Sequence, residues 1–499
     1  MDYFISLDIG TTSVKVALIS ERGDVASISA REYSLLTPAE NIVELNPQIY
    51  WECCKEGIRE VLDKSKVPAN RIKSVGVCSQ GETLIILDKA GNPLRNAIVW
   101  MDNRSDKEAE QLKSVFGTEN NTGQTDVAPT WPITKILWLK KNEPTTYKKI
   151  RRFMLVEDFI LYQLTGQFKG EYSLYSSSFM LDVIEKKWWD EILDYVGVDR
   201  NLLVDLCESG EIIGQIQSSV RSQTGLAPNT KVVTGAMDQV AAMVGAGNIE
   251  SGIVTETTGA ALAICGTVDS FPAKRSRSVA VQYHAIPDKY VLIGWCPTGG
   301  MALKWLRDTC FEAEKEQATR LGNDVYDYMM DLAKAIPIGS QGLIFLPYLA
   351  GPGTAEINPD ARGVFYGLEL HHTRSHFVRS VIESIGFVLH ENILEMEKLG
   401  LKCTEVRSMG GGSKSDIWNQ VKADILSRHI VTMKCTEAAS LGTAILQAKA
   451  TGTYKSLQEA TNNMAQTASV FKPNEKNHKL YKPILKRFLE VNKTCFGLK

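Results

Sequence analysis

Two short apolar runs, separated only by a small polar turn, open the chain. The stretch YFISLDIGTTSVKVALIS, residues 3–20, is typical of two strands joined by a tight turn. A strand, the turn TTGA and another strand follow the same plan at 253–265. Each pair stands where strands alternate with helices, which predicts a layered α/β architecture. Because 499 residues are too many for one compact core, we expect two such units, divided near the glycine-rich 245–252.

Helix signals are clearest in two segments. The helix predicted at 46–65 begins with the start signals Asn46 and Pro47. The helix predicted at 376–400 carries an apolar stripe and ends at Gly400. Further helices are predicted at 130–142, 150–165 and 435–452, and the Ser- and Tyr-rich segment 168–182 is predicted to be a loop.

Gly442 is expected to mark a close contact. It lies inside the predicted helix at 435–452, where a glycine costs about 1 kcal/mol relative to alanine. A tightly packed neighbour or a ligand that approaches the backbone would account for it.

Composition narrows the class of protein. The net charge of −2, with both signs well mixed, gives no reason to expect a nucleic-acid or membrane partner. The first residues lack a basic signal-peptide region, and the most apolar stretch, 259–268, is too short to span a bilayer. Ten cysteines without a CxxC pair and seven histidines without HExxH argue against zinc or iron–sulfur sites. We therefore expect a cytoplasmic protein with free thiols.

Asp8 and the turn after it have two interpretations. The turn is either a polar β-hairpin connection or a site for phosphate and Mg²⁺. A carboxylate at a strand end suits Mg²⁺, which prefers one or two carboxylates plus water and phosphate oxygens. Gly10 lets the chain pass close to an anion, and the hydroxyl groups of Thr11, Thr12 and Ser13 can donate to phosphate oxygens.

Three more glycine-containing turns stand after strands or before helices. They are TTGA (257–260), the start of PTGGMALKWLRD (297–308) and GGGS (410–413). A helix start with free N–H groups attracts anions, and glycines let a flat base lie against the backbone. The chain lacks GxxxxGK[ST], so nucleotide binding here would not be of the P-loop kind.

Asp238 follows a predicted strand and precedes a predicted helix in TGAMDQVAA. It could cap the helix, a role that Asp fills well. It could instead be the base that takes the proton from an acceptor hydroxyl during phosphoryl transfer. Position alone leaves both interpretations open.

The order of motifs resembles that of the FGGY carbohydrate kinases. DIGTTS, GETLIILD, AIVWMDNR, GAMDQVAA, GGMALKWLRD and SMGGGSKSDIWNQVKADIL occur in the family's order. TWPITKILWLKKN (130–142) and GVFYGLELHHTRSHFVRSVIE (363–383) are similar to the two signatures of the family. The resemblance spans residues 3 to about 450, nearly the whole chain.

The resemblance implies two actin-like domains of the ribonuclease-H type, as in the hexokinase and actin superfamily, with a cleft between them. Residues 1–248 would bind the sugar and residues 249–499 would bind ATP. Asp8 would hold Mg²⁺, and Asp238 would be the catalytic base. Members are often dimers, so a homodimer is a further expectation. The residues implied to contact ATP are Gly10, Thr11, Thr12, Ser13, Thr258, Gly259, Gly300, Gly411, Gly412 and Ser413.

Departures from the family patterns bear on the substrate. Glycerol kinases carry Arg-Glu after the glutamine that matches Gln80, whereas this chain has Gly81 and Glu82. Xylulokinases carry Gln-Met-His-Gly and an Asp-Asn pair, whereas this chain has Asp238-Gln239. Gly81 leaves room for a ketopentose such as xylulose, which is the predicted substrate. The residues implied to bind it are Gln80, Gly81, Glu82, Trp100, Asp102, Arg104, Asp238 and Gln239.

Two alternatives remain. One is a polyol kinase of the glycerol or erythritol type, because GETLIILD and the Met-Asp-Gln sequence lean toward glycerol kinases. The other is an actin-like ATPase that binds a partner without phosphorylating a sugar. A further departure is Ala260, which stands where many members have Thr or Ser.

Overall fold

The computed structural model describes residues 1–117, 120–353, 358 and 360–497. In the first half the strands are β1 (Tyr3–Ile9), β2 (Ser13–Ser20), β3 (Val25–Glu32), β4 (Glu44–Leu45), β5 (Ile72–Ser79), β6 (Ile85–Leu87), β7 (Ala97–Ile98), β8 (Arg152–Met154), β9 (Lys169–Glu171), β10 (Leu181–Asp182), β11 (Lys187–Trp188), β12 (Asp205–Cys207), β13 (Ile212–Gln215) and β14 (Lys231–Met237). The helices there are α1 (Pro47–Ser65), α2 (Asp106–Phe116), α3 (Pro132–Asn142), α4 (Pro144–Tyr147), α5 (Val156–Thr165), α6 (Tyr172–Tyr175), α7 (Asp190–Val196), α8 (Ser218–Thr224) and α9 (Asp238–Gly245).

The second half follows the same alternation. Its strands are β15 (Ile253–Thr258), β16 (Leu262–Val268), β17 (Ala280–Tyr283), β18 (Tyr290–Cys296), β19 (Ile344–Leu346), β20 (Val364–Tyr366), β21 (Glu405–Met409), β22 (His429–Met433) and β23 (Thr467–Phe471). Its helices are α10 (Gly300–Cys310), α11 (Glu312–Leu321), α12 (Val325–Lys334), α13 (Arg374–Lys398), α14 (Asp416–Leu426), α15 (Ala438–Ala450), α16 (Leu457–Met464) and α17 (Glu475–Phe496). Short 3₁₀ turns occur at Ala69–Arg71, Arg200–Leu202, Ser340–Gly342 and Gly411–Lys414.

Each half is built on one mixed sheet, and the two sheets share a central plan. In the first sheet, β3, β2 and β1 are antiparallel neighbours. β5 pairs in parallel with β1, β14 pairs in parallel with β5, and β13 lies at the edge. In the second, β18-β16-β15 repeat the antiparallel meander, and β21 and β22 add in parallel. The predicted echo between the two hairpins is thus confirmed, together with the two-domain α/β fold of the ribonuclease-H type.

Local signals located most of the helices. Asn46 caps α1, with its side chain accepting the N–H of Gln48, and Ser415 caps α14. Two predictions were wrong. The segment 150–165 holds β8 before α5, because β8 pairs with β6 of a distant part of the chain. The segment 168–182 is not a loop but holds β9, α6 and β10, and its long-range contacts keep it buried.

Helix α15, from the second half of the chain, packs in the core of the first sheet. The Ser6 hydroxyl donates to the carbonyl oxygen of Ser440 at 2.7 Å. The Gln447 side-chain amide donates to the carbonyl oxygen of Ile5 at 3.1 Å, and Ser74 donates to the same side chain at 2.8 Å. The two halves are therefore tied together beneath the strand that carries Asp8. No helix among the described ranges is long and apolar enough to cross a membrane.

Candidate active site

The carboxyl ends of three parallel strands meet at one edge of the first sheet. β1 ends with Asp8 and Ile9, β5 leads into Gln80, and β14 leads into Asp238. Asp8 lies opposite Cys78 of β5 and opposite Lys15 of β2. Parallel pairing thus brings together residues that are 230 positions apart in the chain, as α/β sheets do with their binding sites.

Burial shapes the charges at this edge. It raises the pKa of Asp8 to about 6, against the lowering effect of Lys15. Burial also raises the pKa of Asp238 to about 7, and the nearby carboxylates of Asp8 and Glu82 add to that shift. Lys15 forms an ion pair of 2.8 Å with Glu437, which precedes α15. This edge of the sheet is therefore acidic, and its charge is only partly compensated.

Asp238 is the first residue of α9 rather than its cap. The cap position is taken by Met237, and the half-buried Asp238 carboxylate accepts the N–H of Gln239 at 2.6 Å. The other carboxylate oxygen takes no hydrogen bond from the residues described here. The capping interpretation is thus wrong, and the carboxylate has a free oxygen to offer.

The turn at residues 10–13 is a hairpin that also contacts the predicted sugar loop. The N–H of Gly10 donates to the carbonyl oxygen of Ser13 at 2.9 Å, which closes the turn. Tyr33 and Gln80 donate to the carbonyl oxygen of Gly10. The indole N–H of Trp100 donates to the Thr11 hydroxyl at 3.0 Å. The Thr11 hydroxyl keeps its own proton free for another acceptor.

Glu82 sits at the bend of the SQGET loop. Its φ of +58° is a left-handed conformation that few residues adopt, so the bend is strained. Burial raises the Glu82 pKa to about 7, while Ser177 and Lys135 favour the charged form. A side chain at Gly81 would lie 2.9 Å from the Ser177 hydroxyl, so that hydroxyl would have to move. Packing against Ser177 accounts for the glycine, and the space expected there for a ketopentose stays a prediction.

Lys135 lies under this loop with its amine buried. It donates to the carbonyl oxygen of Thr130 at 2.8 Å and lies 3.4 Å from those of Glu82 and Trp100. Burial lowers the Lys135 pKa to about 7, against the opposing charges of Glu82 and Asp102. Lys135 therefore ties the two predicted sugar-binding segments together.

Asp102 and Arg104 bond to each other. Asp102 is fully buried and accepts two hydrogen bonds from the Arg104 guanidinium, at 2.8 and 2.7 Å, and one from the N–H of Val43. Arg104 also pairs with Glu44 at 2.7 Å and lies over the ring of Trp138. Most of their bonding capacity is thus used within the protein.

The glycine turns of the second half touch one another. A side chain at Gly300 would lie 2.6 Å from the carbonyl oxygen of Gly259, and one at Gly412 would lie 2.7 Å from the side chain of Thr258. Gly410 has a φ of +75°, which favours glycine. These approaches explain why glycine stands at each position.

A cavity of about 1250 Å³ opens beside these turns, between the starts of α10 and α14 and the face of α12. Five residues implied to contact ATP line it, namely Thr258, Gly259, Gly300, Gly411 and Gly412. Ser413 follows them, with its hydroxyl bonded to the carbonyl oxygen of Gly410 at 2.8 Å. The volume exceeds that of typical small-ligand pockets, so it can hold a nucleotide.

A fully buried ion pair lies beneath this cavity. Lys422 of α14 contacts Glu256 of β15 at 2.6 Å, and neither side chain is exposed. Thr258 donates to Glu256 at 2.6 Å, and Ser408 also donates to it. The Thr258 hydroxyl is therefore hydrogen-bonded to Glu256 beneath the cavity. The ion pair also fixes the strands that lead into TTGA and GGGS.

Several of these groups carry no local signal in the sequence. The pairs Lys15–Glu437 and Lys422–Glu256 join residues far apart in the chain, so no local pattern reveals them. Lys135 is an exception, because it stands among the apolar residues of α3. A lysine is costly to bury there unless its amine has polar partners, so its position indicates such partners.

Known proteins match both halves of the chain. Residues 3–245 match the N-terminal domain, and residues 261–451 the C-terminal domain, of the FGGY family of carbohydrate kinases. The chain is 29% identical over 496 residues to the xylulose kinase of Bacillus subtilis (strain 168), covering 98% of this chain and 97% of that one. It is 30% identical over 496 residues to the gluconokinase of the same organism, covering 98% and 96%.

Solved structures agree on the fold. The crystal structure of gluconate kinase from Lactobacillus acidophilus superposes with a TM-score of 0.90 at 27% identity, and the match covers 99% of both chains. Likeness therefore extends over both domains and the cleft between them. The chain is an ATP-dependent carbohydrate kinase and belongs to the FGGY family.

Proposed function

We propose that this kinase transfers the γ-phosphoryl group of MgATP to a hydroxyl group of a neutral ketopentose such as xylulose. The convergence of Asp8, Glu82 and Asp238 at one sheet edge carries the proposal, since the charges of the first two raise the pKa of the third. A substrate that brings its own carboxylate, as gluconate does, would meet three acidic groups. A neutral sugar can instead donate hydroxyl protons to them.

In this mechanism Asp238 is the general base. It takes the proton from the sugar hydroxyl as that oxygen bonds to the γ-phosphorus and the bond to the ADP oxygen breaks. A pKa of about 7 suits this task, because a large fraction of the carboxylate is ionised near neutral pH and is basic enough to accept a proton. Gln239 offers an amide beside it for a second sugar oxygen.

Asp8 would hold Mg²⁺. Among the described residues no cluster of three or more His, Cys, Asp or Glu side chains could bind a metal by itself. Mg²⁺ does not need one, since one carboxylate together with phosphate oxygens and water meets its preference. The partly compensated Asp8 carboxylate fits that role, and bound Mg²⁺ would offset the negative charge of the phosphates.

The 249–499 unit would take the nucleotide in the cavity beside its glycine turns, with the start of α10 directed at the phosphates. The hydroxyls of Thr11 and Thr12 would donate to the terminal phosphate from the other wall. The 1–248 unit would hold the sugar between Gln80, Glu82 and Trp100. Asp102 and Arg104 would support this wall from beneath, because their charged groups already bond to each other.

A coupled ADP-release assay with xylulose, ribulose, erythritol, glycerol and gluconate tests the proposal. We expect the highest kcat/KM with a ketopentose and the lowest with gluconate. Asp238→Asn should lower kcat about 10²- to 10⁴-fold while nucleotide binding, measured by calorimetry, changes little. Fastest turnover with gluconate or glycerol would reject the substrate, and ADP release independent of any sugar would favour the ATPase alternative.

A further inference from the structure

The strand that delivers Asp238 ends in an irregular stretch. The pairing of β14 with β5 shifts register between Thr234 and Met237, just before the base. In this stretch the N–H of Gly235 donates to Glu157 at 2.9 Å, and the N–H of Met237 donates to the Ser173 hydroxyl at 3.0 Å. Side chains from two other segments therefore accept hydrogen bonds from the last residues of β14 before Asp238.

The Ser173 acceptor is itself fixed. Its hydroxyl donates to the Glu171 carboxylate at 2.9 Å, so its oxygen lone pairs face Met237. Glu171 also accepts the N–H groups of Ser173 and Leu174, at 2.7 and 2.5 Å, and the hydroxyl of Ser209 at 2.7 Å. Glu171 and Ser173 are fully buried. This satisfied network gives Ser173 one orientation.

Glu157 contacts the same stretch of backbone from another segment of the chain. It lies in the first turn of α5 and is fully buried. A side chain at Gly235 would overlap the carbonyl oxygen of Val77, so the backbone there lies directly against β5. The Gly235 N–H has the Glu157 oxygen as its partner.

We propose that Glu157 and Ser173 are positioning residues for phosphoryl transfer, which hold the β14 end so that the Asp238 carboxylate faces the sugar hydroxyl. This rests on the proposed role of Asp238 as base. The two side chains contact neither substrate and act through the N–H groups of Gly235 and Met237. A displacement of about 1 Å in a catalytic group can cost about 10²-fold in rate, so small changes here should be visible.

Glu157 can be replaced by a close mimic. Burial, together with the charges of Glu171 and Asp158, raises its pKa well above the usual range, which favours the neutral form. Gln keeps the accepting oxygen and the shape, whereas Leu keeps the approximate size and removes the acceptor. Ser178 offers a matched control for Ser173. It is also fully buried, but its hydroxyl bonds to Tyr175 and Met180 and not to β14.

The experiment measures kcat and KM in full-length variants with MgATP and xylulose, or with whichever panel sugar turns over fastest. Ser173→Ala and Glu157→Leu should lower kcat about 10- to 100-fold with the KM for ATP nearly unchanged. Glu157→Gln and Ser178→Ala should keep kcat within about twofold of the wild-type value. If Glu157→Leu does not fold, Ser173→Ala, which removes a single oxygen, carries the test.

Two outcomes overturn the inference. One is a wild-type kcat in Ser173→Ala, and the other is an equal loss in Ser178→Ala, which would indicate general packing. Asp238→Asn is assayed in parallel. If it is inactive while Ser173→Ala is fully active, only the positioning inference fails, whereas wild-type turnover in Asp238→Asn overturns the assignment of the base.

Discussion

Gly245 of α9 and Gly442 of α15 face each other where the two helices cross, and neither leaves room for a methyl group. A methyl group on Gly442 would overlap the carbonyl oxygen of Ala241 and lie 2.8 Å from the amide nitrogen of Gly245. A methyl group on Gly245 would overlap the carbonyl oxygen of Ala438. The close packing expected at Gly442 is thus confirmed, and backbone rather than ligand is what approaches it.

We therefore expect Gly442→Ala to destabilise the protein by about 2 kcal/mol, because overpacking outweighs the gain in helix propensity. Since α9 begins with Asp238, kcat should fall as well. Thermal unfolding and steady-state kinetics measure both effects. Gly386→Ala in α13 is the matched control, because its new methyl group would meet only the end of the Ile425 side chain, which can turn away. Equal losses in both variants would contradict the role of the crossing.

Asp238→Asn should stabilise the protein at neutral and higher pH. The folded-state pKa is raised to about 7 from the ordinary value of 3.8, so a charged carboxylate is held against its preference. That penalty is absent below pH 4, grows as pH rises and is complete above about 7. The melting temperature of the variant should exceed that of the wild type by a few degrees at pH 8 and by less at pH 5. A constant difference would show that Asp238 does not titrate in this range.

The pH profile of kcat/KM for the sugar should follow the ionisation of the base, Asp238. It should rise about tenfold per pH unit up to about 7 and level off above it, because protonated Asp238 cannot accept the hydroxyl proton. Burial also raises the Glu82 pKa to about 7, so Glu82→Gln separates the two groups. The rising limb should persist in that variant at lower kcat/KM. Its loss would assign the limb to Glu82.

The buried pair of Lys422 and Glu256 should behave as a unit. Lys422→Met strands a carboxylate in the core and should cost about 3–5 kcal/mol of stability. It should also raise the KM for ATP, since Thr258 loses its anchored partner. Adding Glu256→Gln should recover most of the loss. A double-mutant cycle of melting temperatures and KM values measures the coupling, and strictly additive losses would argue against it.

Features set by local chemistry could be predicted from the sequence. The β1–β2 hairpin and α1 with its Asn46 cap follow from short-range periodicity and cap residues. The two-domain fold followed from the repeated hairpin and from the family motifs. Capping at Asp238 was ambiguous because an aspartate at the first position of a helix and one at the cap look alike in sequence.

What escaped prediction depends on distant partners. The segment 168–182 is rich in Ser and Tyr, which is typical of loops, yet its hydroxyls bond to other parts of the chain. Ser173 bonds to Met237, and Ser176 bonds to Tyr283 of the second sheet. The sequence predicts a helix over β8 because the pairing of β8 with β6 leaves no local pattern. These segments take their structure from contacts with distant residues, which the composition of the segments does not reveal.

The placement of α15 has a consequence for how the protein is made. The apolar residues Leu441, Ala444 and Ile445 belong to the same core as β1 and β5, although they are translated near the end of the chain. On the ribosome β1 and β2 can pair early. The face of the sheet against which α15 packs stays uncovered until residue 450 has been translated. A ribosome that stalls in the second half, before residue 450 of 499, would leave that face of the sheet uncovered and open to chaperones.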